Sequence, residues 1–202
     1  NWNLVSSTNT VGITSSDTSA TLPANAALVA GSRTFSVTLN TAGTATVTAT
    51  NITDGTKTAN TSPSITVNAG AFTKLQLLVP GETAAPGSAS GKPGTPTAQT
   101  AGTAFTVTVN AVDANWNLVN TVTDTVGITS SDSNATLPAN AALVAGSQTF
   151  SVTLNTAGTA TVTATNITDG TKTANTSPSI TVNAGAFTKL QLLVPGETAA
   201  PG

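Results

Sequence analysis

Apolar and hydroxyl-bearing residues alternate along this chain with a period of two. In Ala104–Val112, Phe105, Val107, Val109 and Ala111 fall on one face, and Thr106, Thr108 and Asn110 on the other. Extended backbone sends successive side chains to opposite faces, so this spacing predicts a half-buried strand. Residues 149–154 repeat the pattern, with Phe150, Val152 and Leu154 set against Thr149, Ser151 and Thr153. In residues 159–165, Ala160, Val162 and Ala164 alternate with Thr159, Thr161, Thr163 and Thr165. Val126 and Ile128 mark a further strand, Ile180 and Val182 the last, and residues 74–79 the most apolar one, with Leu75, Leu77 and Val79 on one face. β-Branched threonine suits the outer face of a strand and keeps it wet without charge. Turn residues punctuate the strands at Asp113-Ala-Asn115, Asn155-Thr-Ala-Gly158, Asp169-Gly170 and Ser177-Pro178. No stretch carries a helical period of useful length.

The pattern is written twice. Asn1-Trp2-Asn3-Leu4-Val5 returns as Asn115-Trp116-Asn117-Leu118-Val119, and Val11 returns at Val126, 126 less 11 giving a period of 115 residues. A fixed period of this kind is the signature of a tandem array, of which this chain is expected to be a window. About seven short strands per period, separated by turn signals, predict an all-β chain of immunoglobulin-like antiparallel β-sandwich repeats in tandem. Residues 70–183 make one complete repeat, with the Pro/Gly-rich residues 80–102 as a connection inside it. Residues 1–69 are a repeat lacking its first two strands. Residues 184–202 are the first strand of a following repeat. Without the two most apolar strands, residues 1–69 expose their interior, so neighbouring chain is expected to complete both ends, either continuous with this one or contributed by another copy.

Only 7% of residues are charged, against the roughly 25% usual in soluble proteins. Six Lys and Arg in all leave no basic patch for displacing counterions, which argues against nucleic acid as a partner. The chain has no Cys, His, Met or Tyr, so thiol nucleophiles, imidazole bases and Cys/His zinc sites are excluded. No apolar run approaches the roughly 20 residues of a membrane-spanning helix. Carboxylates are few and scattered, and the Gly-rich stretch lacks the Lys-Ser/Thr ending of a phosphate loop, so no enzyme constellation is predicted.

The runs Phe105-Thr-Val-Thr-Val-Asn-Ala-Val-Asp-Ala-Asn115, Thr125-Val-Gly-Ile-Thr-Ser-Ser-Asp132, Asn134-Ala-Thr-Leu-Pro138 and residues 148–164 resemble bacterial Ig-like tandem repeats of large surface and secreted proteins. The invasin/intimin-type domain is similar at greater distance. The resemblance implies an extracellular or cell-surface stalk, fibre or adhesin in which most repeats are spacers.

Several side chains are candidates for chemistry. Asp113, Asn115 and Asn117 stand at alternate positions like the opening of a calcium loop, but Leu118 replaces the glycine such loops need, and an Asx-rich turn explains the run as well. Asp124 and Asp132 are further calcium candidates, and no other cofactor is expected. Lys74 and Asn183, with Asp113 as acid, resemble a Lys–Asn isopeptide set, although alternation places Lys74 on the solvent face. Asn51, Asn60, Asn134, Asn166 and Asn175 each open an Asn-x-Ser/Thr sequon. Trp2 and Trp116 recur once per repeat and are candidates for an interdomain contact or, less simply, for stacking on a sugar. The ladder Thr159, Thr161, Thr163 and Thr165, like Thr44, Thr46, Thr48 and Thr50, either faces solvent or orders water.

The leading expectation is therefore a structural building block of an extracellular stalk or filament, partnered by copies of itself. The alternatives are an adhesin that recognises glycan or a host surface through its loops, and a spacer in a secreted enzyme.

Overall fold

The computed structural model describes residues 3–201 and contains strands, turns and loops throughout. The chain forms two compact units, Asn1–Ala69 with Pro86–Ala89, and Gly70–Ala85 with Ser90–Gly202.

The first unit holds β1 (Thr10–Ser15), β2 (Ala26–Ala27), β3 (Gly43–Ala45), β4 (Val47–Asn51), β5 (Asn60–Thr61) and β6 (Ile65–Val67). One sheet runs β2-β1-β4-β5, and β3 pairs with β6. The second unit holds β7 (Lys74–Leu78), β8 (Gln99–Thr100), β9 (Ala104–Val112), β10 (Thr125–Ser130), β11 (Ala141–Ala142), β12 (Ser147–Thr153), β13 (Gly158–Ala160), β14 (Val162–Asn166), β15 (Asn175–Thr176) and β16 (Ile180–Asn183). Its sheets run β11-β10-β14-β15, β12-β9-β7 and β13-β16-β8. Among the described residues the strands pair antiparallel except β16 with β8, and a single parallel bridge joins Lys74 to Thr173.

The inward residues of these sheets share one core: Leu75, Leu77 and Val79 meet Phe105, Val107 and Val109, Val126 and Ile128, Phe150 and Val152, and Ile180 and Val182. The second unit is an antiparallel β-sandwich of immunoglobulin-like type. Each fully buried Leu or Val here contributes about 1.5–3 kcal/mol of apolar transfer.

The same sequence reads differently in the first unit. Residues 32–38 match β12 at all but one position, Arg33 for Gln148, yet form no strand and carry only isolated bridges, Val29 with Ser32 and Thr21 with Thr38. In the second unit β12 pairs with β9 along its whole length, from Ser147 opposite Asn110 to Thr153 opposite Ala104. Among β1 to β6 there is no counterpart of β7 or β9. A strand persists through its ladder partner and its covered face, and the counterpart of β12 has lost both. Ile65 is 37% exposed where Ile180 is 1% exposed.

Two details depart from the alternation. Residues 159–165 are not one strand. The backbone of Thr161 bonds Ser131 and Ser130: Thr161 N–H donates to Ser131 Oγ at 2.8 Å, and Ser131 N–H and Ser130 Oγ donate to its carbonyl. The chain changes sheets there, with β13 on β16 and β14 on β10. The threonine ladder is thus split between two sheets and is not one flat array. Val144 and Ser147 exchange both backbone hydrogen bonds around Ala145 and Gly146, whose φ angles are 49° and 76°. That is a two-residue hairpin turn of the kind that needs left-handed backbone at both central positions.

Candidate functional site

Polar side chains gather at several places in the second unit, two of them around a lysine. The first is its N-terminal end. Asp113 directly follows β9 and is 4% exposed. One carboxylate oxygen accepts the N–H of Gly70 at 2.7 Å and Asn117 Nδ2 at 3.0 Å. The other accepts the N–H groups of Asn115 at 2.8 Å and Asn117 at 2.9 Å. Burial pushes this carboxyl up, but the hydrogen bonds from Asn117, Gly70 and Asn115 outweigh it and hold it below the usual carboxylate range. Asp113 therefore clamps the start of the unit to the turn after β9.

Trp116 sits in that turn with φ 67°. A Cβ on Gly91 would collide with Cδ2, Cγ and Cε3 of the Trp116 ring, so the indole packs against glycine backbone in the 80–102 connection. Lys74 does not face open solvent, contrary to the alternation. Its Nζ lies 3.5 Å from the Trp116 ring centroid and donates to the Ala114 carbonyl at 2.9 Å. The ring's negative face and that carbonyl draw the ammonium inward. Trp2 lies outside the described residues.

The calcium candidates are dispersed. Asp113, Asn115 and Asn117 do meet, but the carboxylate at their centre is already occupied by N–H donors. Asp124 accepts Asn166 Nδ2 at 2.7 Å. Asp132 bridges a separate turn, accepting Asn155 N–H at 2.7 Å, Thr156 N–H at 3.0 Å and Thr156 Oγ1 at 2.8 Å. Asp17 makes the same clasp on Asn40 and Thr41 in the first unit. Among the described residues no three acidic, His or Cys side chains group to hold a metal ion.

Lys74 and Asn183 are not brought together. Lys74 pairs with Val112 at one end of β9, whereas Asn183 pairs with Thr100 and accepts the Ala101 N–H, just before β9 begins. A nine-residue strand separates them, about 30 Å of rise.

The sequon asparagines fall in different settings. Asn60 is exposed on β5, and exposed Asn134 donates to Thr156 Oγ1 at 3.2 Å. Asn51 accepts the Asp54 N–H at 2.9 Å. Asn166 is 3% exposed with its amide on Asp124, which sets it out of reach of a glycan-transferring enzyme in the folded chain.

Asn175 belongs to the second polar cluster, which the sequence pattern does not reveal. Its Oδ1 accepts the Leu77 N–H at 3.0 Å and Lys92 Nζ at 3.0 Å. Lys92 also donates to the Leu77 carbonyl at 2.9 Å and lies 3.6 Å from Glu82 Oε1. The Lys92 and Glu82 side chains are 11% and 1% exposed. Burial pushes the Lys92 ammonium down in pKa, opposed by the charge of Glu82. Gln76, on the outward phase of β7, is 1% exposed because the 80–102 connection covers it. It donates to the Gly91 carbonyl at 2.8 Å and accepts Asn110 Nδ2 at 2.9 Å. The legible signal was that Glu82 and Lys92 are the only charges in residues 80–102.

No protein-family model and no curated protein matches the chain. Solved structures resemble it weakly. A β-glycosidase from Bacteroides vulgatus aligns over 86% of this chain at 11% identity and a TM-score of 0.45, and the aligned part is 21% of the glycosidase. The D0-D1 domain of intimin aligns over 91% of this chain and 85% of its own, at 14% identity and a TM-score of 0.38. Domains 1-6 of the surface layer protein SbsC align over 92% of this chain and 21% of that one, at 20% identity and a TM-score of 0.38.

Proposed function

We infer that this chain is a spacer, a segment of an extracellular stalk or filament built from tandem Ig-like domains. The observation that carries the reading is the placement of the ends of the second unit. Gly70 is tied to Asp113 beyond one end of β9, and Asn183 is tied to Ala101 before the other. A domain whose chain arrives at one end and leaves at the other adds length with every copy. A neutral Thr/Ser/Asn surface keeps such an array soluble with little dependence on salt, because there is little charge to screen.

In the proposed array a segment like residues 70–114, from a preceding copy or a neighbouring chain, completes the first unit. The half-open core there supports this. Electron micrographs of the native protein test the reading: rods or filaments with a regular axial repeat support it, and discrete globules overturn it. A protein with residues 70–114 repeated ahead of residue 1 tests the completion. Slow amide exchange across residues 32–38 is the expected result, and exchange as fast as in the present chain refutes it.

A further inference from the structure

We propose that Lys92 and Asn175 are joined by an intramolecular amide bond, formed autocatalytically with Glu82 as the proton carrier. The geometry supplies each part that amide exchange requires. The nucleophile, Lys92 Nζ, lies 3.0 Å from Asn175 Oδ1, within reach of the Cγ that bears it. The same oxygen accepts the Leu77 N–H at 3.0 Å, a backbone donor placed where negative charge develops during attack on Cγ. Glu82 lies 3.6 Å from the amine with its side chain 1% exposed, and its Oε2 is held by the Val79 N–H at 3.1 Å. Passing the proton from Nζ to Glu82 removes two buried charges at once and leaves a neutral amine. Burial favours that neutral form of Lys92.

The step balances without any further reactant. The neutral Nζ attacks Asn175 Cγ, and the Nζ–Cγ bond forms. Glu82 delivers its proton toward the departing Nδ2, and the Cγ–Nδ2 bond breaks. Nitrogen leaves as ammonia, which takes up the last proton as ammonium, and Glu82 returns to carboxylate. The hydrogens of one ammonium and one carboxamide are shared between one secondary amide and one ammonium ion.

The bond would close residues 92–175 into a covalent ring. Tension applied at Gly70 and Asn183 would then bypass β9 through β14. Asn60 supplies an internal control, since it occupies the same Ala-Asn-Thr-Ser sequence as Asn175 but lies exposed on β5.

The test is the intact mass of the whole purified chain, followed by peptide mapping. The expected mass is short by one ammonia, with a branched peptide joining Lys92 to Asn175. The deficit should persist in Asn60→Ala and vanish in Glu82→Gln and Lys92→Arg. A full-length mass for the unaltered chain overturns the proposal, as does a deficit mapped to other residues. A branched peptide that persists in Glu82→Gln overturns the role of Glu82. Because the unaltered chain is decisive by itself, a variant that fails to fold does not blunt the test. The outcome is also independent of whether the native protein is a filament.

Discussion

At the residue scale the chain spends its few carboxylates on backbone. Asp113 and Asp132 each satisfy N–H groups that would otherwise be stranded in a turn, and Asp17 repeats the clasp of Asp132. Removing an acceptor of this kind leaves buried donors unpaired, which costs more than the bonds themselves were worth. Asp113→Ala should therefore destabilise the second unit by about 3 kcal/mol, read from the urea midpoint. The same clamp makes stability depend on pH. The folded pKa of Asp113 is depressed, so its contribution is intact above the ordinary carboxylate range and is lost as pH falls through the depressed folded value. Urea midpoints measured down the acid limb should fall in the unaltered chain, and Asp113→Asn should flatten that limb. The clamp was half legible: the sequence placed Asp113, Asn115 and Asn117 in one turn, but only the folded chain showed that the Asp113 carboxylate also takes the Gly70 N–H.

At the element scale identical sequences behave according to what lies against them: residues 74–78 form β7, and their repeat at 189–193 forms no strand. Residues 189–193 repeat β7 letter for letter, yet Leu192 is 86% exposed and Leu77 is 0% exposed. Leu77→Ala should cost about 2–5 kcal/mol through lost transfer and a residual cavity, whereas Leu192→Ala should leave the urea midpoint unchanged. Equal effects from the two substitutions would refute the assigned burial. The tight turn between β11 and β12, closed by Val144 and Ser147, offers a gain instead. Ala145 holds a left-handed backbone that costs a residue with a Cβ about 1–2 kcal/mol, and asparagine tolerates it better. Ala145→Asn should raise stability by about 0.5–1 kcal/mol, seen as a higher thermal midpoint. Alternation located these strands because period two is a local property. It could not foresee the break at Thr161, because the hydroxyl that takes the Thr161 N–H comes from Ser131, thirty residues away.

At the scale of the whole molecule, the two units pose one experiment on one sequence. Hydrogen exchange should protect residues 147–153 and leave residues 32–38 fast, since only the former have a ladder partner. Comparable protection in both would mean that the local sequence suffices to hold the strand. The sequence by itself determined the all-β class, the period, the apolar face of each strand and the poverty of charge, since each of these follows from side-chain type and spacing. Tertiary structure alone decided that Lys74 turns onto Trp116, that Gln76 on the outward phase is buried, and that Lys92, beside Glu82 in the 80–102 connection, meets Asn175. These depend on which segments the fold brings together across 15 to 98 residues of chain, and a two-residue period carries no information at that range.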